Sequence, residues 1–215
     1  QTTDQPTSDP TNQLTAVQYA ELHAHTAFSL LDGAALPEPL VARAKELGLA
    51  ALAITDHDEL GGIVRFATAA REVDLPAIIG AELTVVVPPG AGNAQPLVTH
   101  LPLLAESRDG YANLATLVTL ARQDVTHRGE PRVTLDQLAA HASGLFALTG
   151  CPRGWVPTLA ARGELDRCCE AAAILMDIFD RRIAIECWDH GLPEERTTTA
   201  RLIEIARALD VSWVV

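Results

Sequence analysis

Residues 51–73, ALAITDHDELGGIVRFATAAREV, change character twice within one short stretch. ALAIT is apolar and reads as a strand, DHDE is a burst of titratable side chains, and GGIVRFATAAREV carries helical periodicity. A buried strand, a polar turn at its carboxyl end and a helix make one βα unit. The paired glycines lack the spacing of a phosphate-binding loop and are read as opening the helix. If such units repeat, the fold is parallel α/β, and Asp56 and His57 stand at the strand end where α/β barrels build their sites.

The units do repeat. Upstream, a strand near Tyr19–Leu22 runs into His23 and His25, and a helix follows at about Glu38–Leu47, with Pro37 near its start and Gly48 past its end. Downstream, PAIIG and LTVVV supply strand residues on either side of Ala81 and Glu82, where the strand is expected to give way. PPGAGNAQP is a turn-rich loop, and PLVTHLPLLA is another strand. Then come helix DGYANLATLVTLARQDV, a short helix opened by the capping-box pattern Thr134-x-x-Gln137, and strand GLFALTG. ELDRCCEAAAILMDIFD gathers its apolar residues on one helical face. Strand RRIAIECW, helix PEERTTTARLIEIARALD and strand VSWVV complete the chain.

The 215 residues, 48% of them apolar, suffice for one sizeable domain. No run approaches the ~20 apolar residues of a membrane-spanning helix. The opening 18 residues, QTTDQPTSDPTNQLTAVQ, are polar and read as a disordered tail, leaving 19–215 as the domain. A formal charge of −12 argues against a broad basic surface for nucleic acid, although bound cations would reverse the sign inside a pocket. Four cysteines without CxxC spacing and no secretion signal imply free thiols in a reducing cytoplasm.

His23 and His25 alone would be unremarkable, since H-x-H is short and weak. The wider pattern is harder to dismiss. His57, Glu82, Cys151 and the pair Asp189-His190 all fall near strand ends, with His100 in a strand region. Asp32, His57 and Glu82 follow at equal intervals of 25 residues, about one βα unit each. Imidazole, carboxylate and thiolate are ligands for zinc, manganese or iron, and several together hold more than one ion. Cys168, Cys169 and Cys187 are read as core thiols, His127 and His141 as solvated, and Asp56 as a partner that orients an imidazole. Asp189 and His190 either shape a pocket rim or simply turn the chain.

ELHAHTAFSLLDGA, ALAITDHDELGGIVRFA, GAELT, HLPLLAESRDGYANL, LTGCPRGWVP and ECWDHG, six motifs in order, resemble the PHP (polymerase and histidinol phosphatase) domain of C-family bacterial DNA polymerases. DHDELGGIVRFA, TGCPRGWVP and WDHG are most similar to the error-prone branch. The resemblance implies a distorted seven-unit βα barrel, TIM-like, with a divalent cluster of two or three ions of zinc, manganese or iron. The ligand positions it implies are His23, His25, Asp32, His57, Glu82, His100 and Cys151. The family pattern ends in an Asp-x-His pair past the last strand, whereas this chain stops at Val215 within that strand. The sequence is therefore expected to be an N-terminal fragment with a truncated barrel, stabilised by extension.

The function implied is a metal-dependent phosphoesterase, with 3′–5′ exonuclease action on DNA. Its partners would be DNA and the remaining polymerase domains, with no membrane. Two other readings stand beside it: a catalytically silent scaffold for the polymerase, and a free-standing small-molecule phosphatase.

Overall fold

In the computed structural model the described residues are 19–90, 95–123 and 129–215. The expected tail (1–18), the tip of the turn-rich loop (91–94) and the segment 124–128 with His127 lie outside them.

Strands β1 (Ala20–Glu21), β2 (Ala51–Ile54) and β3 (Ala77–Val87) are parallel neighbours, linked through helices α1 (Pro37–Glu46) and α2 (Ile63–Glu72). Strand β4 (Leu97–Ala105) then pairs antiparallel with β3 from Gly80–Leu104 to Val87–Leu97. That reversal departs from the all-parallel expectation. A parallel crossover takes a dozen or more residues, and the link from Val87 to Leu97 is too short for one. Helix α3 (Arg108–Gln123), strand β5 (Val133–Thr134) and helix α4 (Leu135–Ala140) follow, β5 lying along the far half of β3. Strand β6 (Leu145–Leu148) runs antiparallel to β4, and Pro102 falls just outside their ladder. Beyond it lie α5 (Trp155–Arg162), α6 (Leu165–Ile178), β7 (Ile183–Glu186), α7 (Pro193–Leu209) and β8 (Ser212–Val214), with β6, β7 and β8 parallel.

Among the described residues, the sheet order β1-β2-β3-β4-β6-β7-β8 is bent into a strongly curled half-barrel with seven helices. Its inner lining demonstrates the curl. Ala53, Leu104, Leu148 and Ala184 form one buried cluster, and Leu22, Ile78 and Val214 pack against it, so the two ends of the sheet meet the same residues. Outside the sheet the helices bury a larger core around Leu83, Leu103, Leu117 and Phe179 and a smaller one around Ile54 and Phe66. Among the described residues, no helix is long and apolar enough to cross a membrane.

Local chemistry explains the helices. The capping box forms as expected: the Gln137 amide donates to Thr134 Oγ1 at 3.2 Å and the Thr134 amide to Gln137 Oε1 at 2.9 Å. Helix α6 buries Cys168, Ala171, Ala172 and Leu175 along one face, and the Cys168 thiol donates to the Val156 carbonyl at 3.3 Å. Helix α5 escaped the pattern reading because Pro157 interrupts its apolar run. In a first turn, however, proline forfeits no helical hydrogen bond.

Candidate metal centre

Strand β3 does not give way at Glu82. It continues to Val87, because β4 and β5 supply partners for its second half. Glu82 is thus held mid-strand with only 1% of its surface exposed. Four imidazoles surround its carboxylate. His57 Nδ1 stands 2.8 Å from Oε2, His100 Nδ1 3.4 Å and His25 Nε2 3.5 Å from that oxygen, and His23 Nε2 lies 3.6 Å from Oε1.

The backbone brings each ring there for a local reason. His23 and His25 are two residues apart in the extended segment after β1, so they project to one side. His57 follows β2, forms an isolated parallel bridge with Glu82 and stacks on His25 at 4.4 Å between ring centroids. His100 comes from the early half of β4, and only because β4 is reversed does that half reach the same rim. Cys151 sits in the turn after β6. Its loop is pinned to β4, since the His100 amide and the Thr99 hydroxyl both donate to the Arg153 carbonyl, at 3.3 and 2.8 Å. Gly150, at φ +98°, leads into that turn, and a Cβ there would meet the His100 carbonyl at 2.9 Å. Cys151 Sγ ends 3.9 Å from His100 Nδ1. Asp32 is more open, its Oδ2 lying 2.8 Å from His57 Nε2. All seven expected residues therefore gather at one rim of the half-barrel.

Two three-residue groups have donor atoms close enough to share an ion, His23–His25–Glu82 and His57–Glu82–His100. Both use Glu82. Its two oxygens and His23 Nε2 are buried, and none has a hydrogen bond of good geometry despite the short ion-pair distances. A buried carboxylate left so costs free energy unless a cation or proton compensates it. The donor set, imidazoles and carboxylates with one thiol, suits a divalent transition metal.

The charges are strongly coupled. Burial alone would raise the Glu82 pKa, but the close polar contacts of His100, His23 and His57 hold it far below the usual carboxylate range. Burial opposes charge on His23, yet Glu186 and Glu82 outweigh it and raise its pKa to about 9. Contact with Glu82 raises the His57 value, and burial lowers that of His25. Burial, with Glu82 nearby, pushes the Cys151 thiol up to about 12. In cation-free surroundings that thiol stays protonated, and a metal ligand must lose its proton.

Asp56 contacts no imidazole directly. It is buried and accepts from the Thr26 amide, the Thr26 hydroxyl and the Ser29 hydroxyl, each at 2.7 Å. Ser29 Oγ in turn lies 3.2 Å from His25 Nδ1, so Asp56 orients the ring one step removed. Glu186 was missed by sequence reasoning, although a lone acid closing the apolar strand RRIAIE was a usable signal. His190 is exposed, and its amide donates to Glu195, while the Gly191 amide donates to Asp189 Oδ1 at 2.8 Å. That pair turns the chain onto α7 and also lines a pocket with His23, Glu186 and Trp188. His141 caps α4, away from the cluster.

The sequence profile of the PHP domain matches residues 21–190. The chain belongs to the PHP domain family. It is 41% identical over 201 residues to an error-prone DNA polymerase of Mycolicibacterium paratuberculosis, covering 93% of this chain and 18% of that protein. A second error-prone DNA polymerase, from Cutibacterium acnes, is 43% identical over 194 residues, covering 88% and 17%. The chain thus spans under a fifth of the length of these relatives. Among solved structures, a protein of Bifidobacterium adolescentis assigned as a metal-dependent phosphoesterase superposes with a TM-score of 0.62 at 18% identity, over 92% of this chain and 86% of that one. An amidohydrolase of Chromobacterium violaceum gives 0.55 at 19%, over 90% and 84%. At those identities the likeness establishes the fold, and this PHP domain shares it.

Proposed function

We propose that this PHP domain is a metal-dependent phosphodiesterase working as a 3′–5′ exonuclease within a cytoplasmic error-prone DNA polymerase. Its partners are then DNA and the other polymerase domains. One observation carries the reading: a single buried carboxylate, Glu82, stands among four imidazoles with neither oxygen in a well-formed hydrogen bond. His23 and His25 with Glu82 would hold one ion, and His57 and His100 with Glu82 a second. Asp32 and Cys151 stand at opposite flanks, beside His57 and His100, and complete the proposed ligand set.

Divalent ions, when bound, neutralise phosphate oxygens and lower the pKa of an attacking water. The protein's part is placement. Glu82 fixes the spacing of the two positions from inside a sheet strand, where it cannot drift. Asp56 and Ser29 hold the His25 ring, and the more open Asp32 marks the side from which substrate enters. No protein nucleophile is required. The acidic surface, at −12 overall, leaves the ions as the main attraction for a phosphodiester.

The test is a metal-loaded chain incubated with single-stranded DNA labelled at its 3′ or 5′ end. Stepwise loss of nucleotides from the 3′ end, stopped by a chelator, is expected. Bound metal with no hydrolysis would favour the scaffold reading, and faster cleavage of small phosphomonoesters than of DNA would favour the phosphatase.

A further inference from the structure

Glu186 closes strand β7 and is 6% exposed. Its Oε1 lies 2.7 Å from His23 Nδ1 and accepts a hydrogen bond from Trp188 Nε1 at 2.9 Å. Its amide is anchored on Thr149 Oγ1 at 2.9 Å. We propose that Glu186 is a positioning residue for the metal centre, fixing the tautomer and ring plane of His23 so that Nε2 faces Glu82 as a lone-pair donor. This rests on the ligand reading given above.

The assignment follows from donor and acceptor chemistry. An indole nitrogen can only donate, so Glu186 Oε1 acts as an acceptor towards Trp188. An ionised carboxylate can only accept, so with Glu186 as carboxylate the 2.7 Å contact puts the proton on His23 Nδ1. His23 therefore keeps its proton on Nδ1, and Nε2, buried 3.6 Å from Glu82 Oε1, is the nitrogen that gives up any proton it carries when a cation binds. A carboxylate behind a ligating imidazole holds the ring in register and raises its basicity. The Trp188 ring packs edge-on against His23 at 5.5 Å between centroids. A second feature fits: the contact links the end of β7, next to the last strand of the curled sheet, to the segment that follows its first strand.

The test is zinc affinity, by competition with a chromophoric chelator, for the wild-type chain, Glu186→Gln and Glu186→Ala. Glutamine keeps an acceptor oxygen and should bind within a few-fold of wild type, whereas alanine should weaken binding about 10- to 100-fold. Nitrogen-15 spectra of the zinc-loaded wild type should show His23 protonated at Nδ1 and metallated at Nε2, a readout independent of whether Glu186→Ala folds. Metal on Nδ1, or a folded Glu186→Ala with wild-type affinity, overturns the assignment. Failure of the wild type to bind zinc overturns the ligand reading as well.

Discussion

His23 and His25 owe their shared direction to the two-residue repeat of extended backbone, and His57 meets them because β2 pairs in register with β1. Replacing both His23 and His25 with alanine should remove at least one ion per chain, read by elemental analysis; unchanged content would contradict their place in the cluster. Burial governs thiol reactivity at the same scale. Burial pushes Cys168 up to about 12 and Cys187 up to about 11. The thiolate is the reactive form, so at pH 8 both should resist iodoacetamide in the native chain and react on denaturation. Mass-spectrometric mapping checks this, and rapid native alkylation of Cys168 would show that α6 is not packed as described. That the seven candidate residues gather was legible because few side chains bind metal and these recur near strand ends. Glu186 was not legible, since its part depends on a contact from β7 back to β1, far apart in sequence.

Elements carry the next set of constraints. Cys168→Ala truncates a fully buried side chain on α6 and should cost roughly 1–2 kcal/mol in denaturant unfolding while leaving metal content unchanged. Gly33 makes a sharper case. A Cβ there would lie 1.8 Å from the Thr26 carbonyl oxygen, a backbone atom in the same turn. Gly33→Ala should therefore shift the turn that carries Asp32, lowering stability by more than about 1 kcal/mol and weakening metal binding together. Wild-type values for both would show that the turn has room. Most helices and strands were readable from periodicity, caps and turn residues, as the Thr134–Gln137 box illustrates. Direction was not. Apolar PLVTHLPLLA fits a parallel or an antiparallel strand equally, and only the short loop before it hinted at reversal. The reversal is what delivers His100 to the rim.

At the scale of the molecule, the curled sheet gathers candidate ligands scattered from residue 23 to residue 151 at one rim, with Glu82 among four imidazoles. Binding confined to the folded state adds its free energy to folding, about 2.7 kcal/mol when free metal exceeds the dissociation constant a hundredfold. For a chain of this size that corresponds to a fall of roughly 5–10 °C in melting temperature on chelation. An unchanged melting curve would leave the buried Glu82 carboxylate without its compensating cation. A distorted barrel was anticipated through the family resemblance rather than from alternation alone, because curling depends on twist and on inner contacts such as Leu22 and Val214 sharing one cluster. The most direct measurement is the metal stoichiometry of the wild-type chain beside Glu82→Gln. Because one carboxylate serves both triads, the wild type should carry at least two divalent ions and the variant should lose both positions while remaining folded. A wild type that binds no divalent metal, or a Glu82→Gln chain with undiminished stoichiometry, would contradict the account.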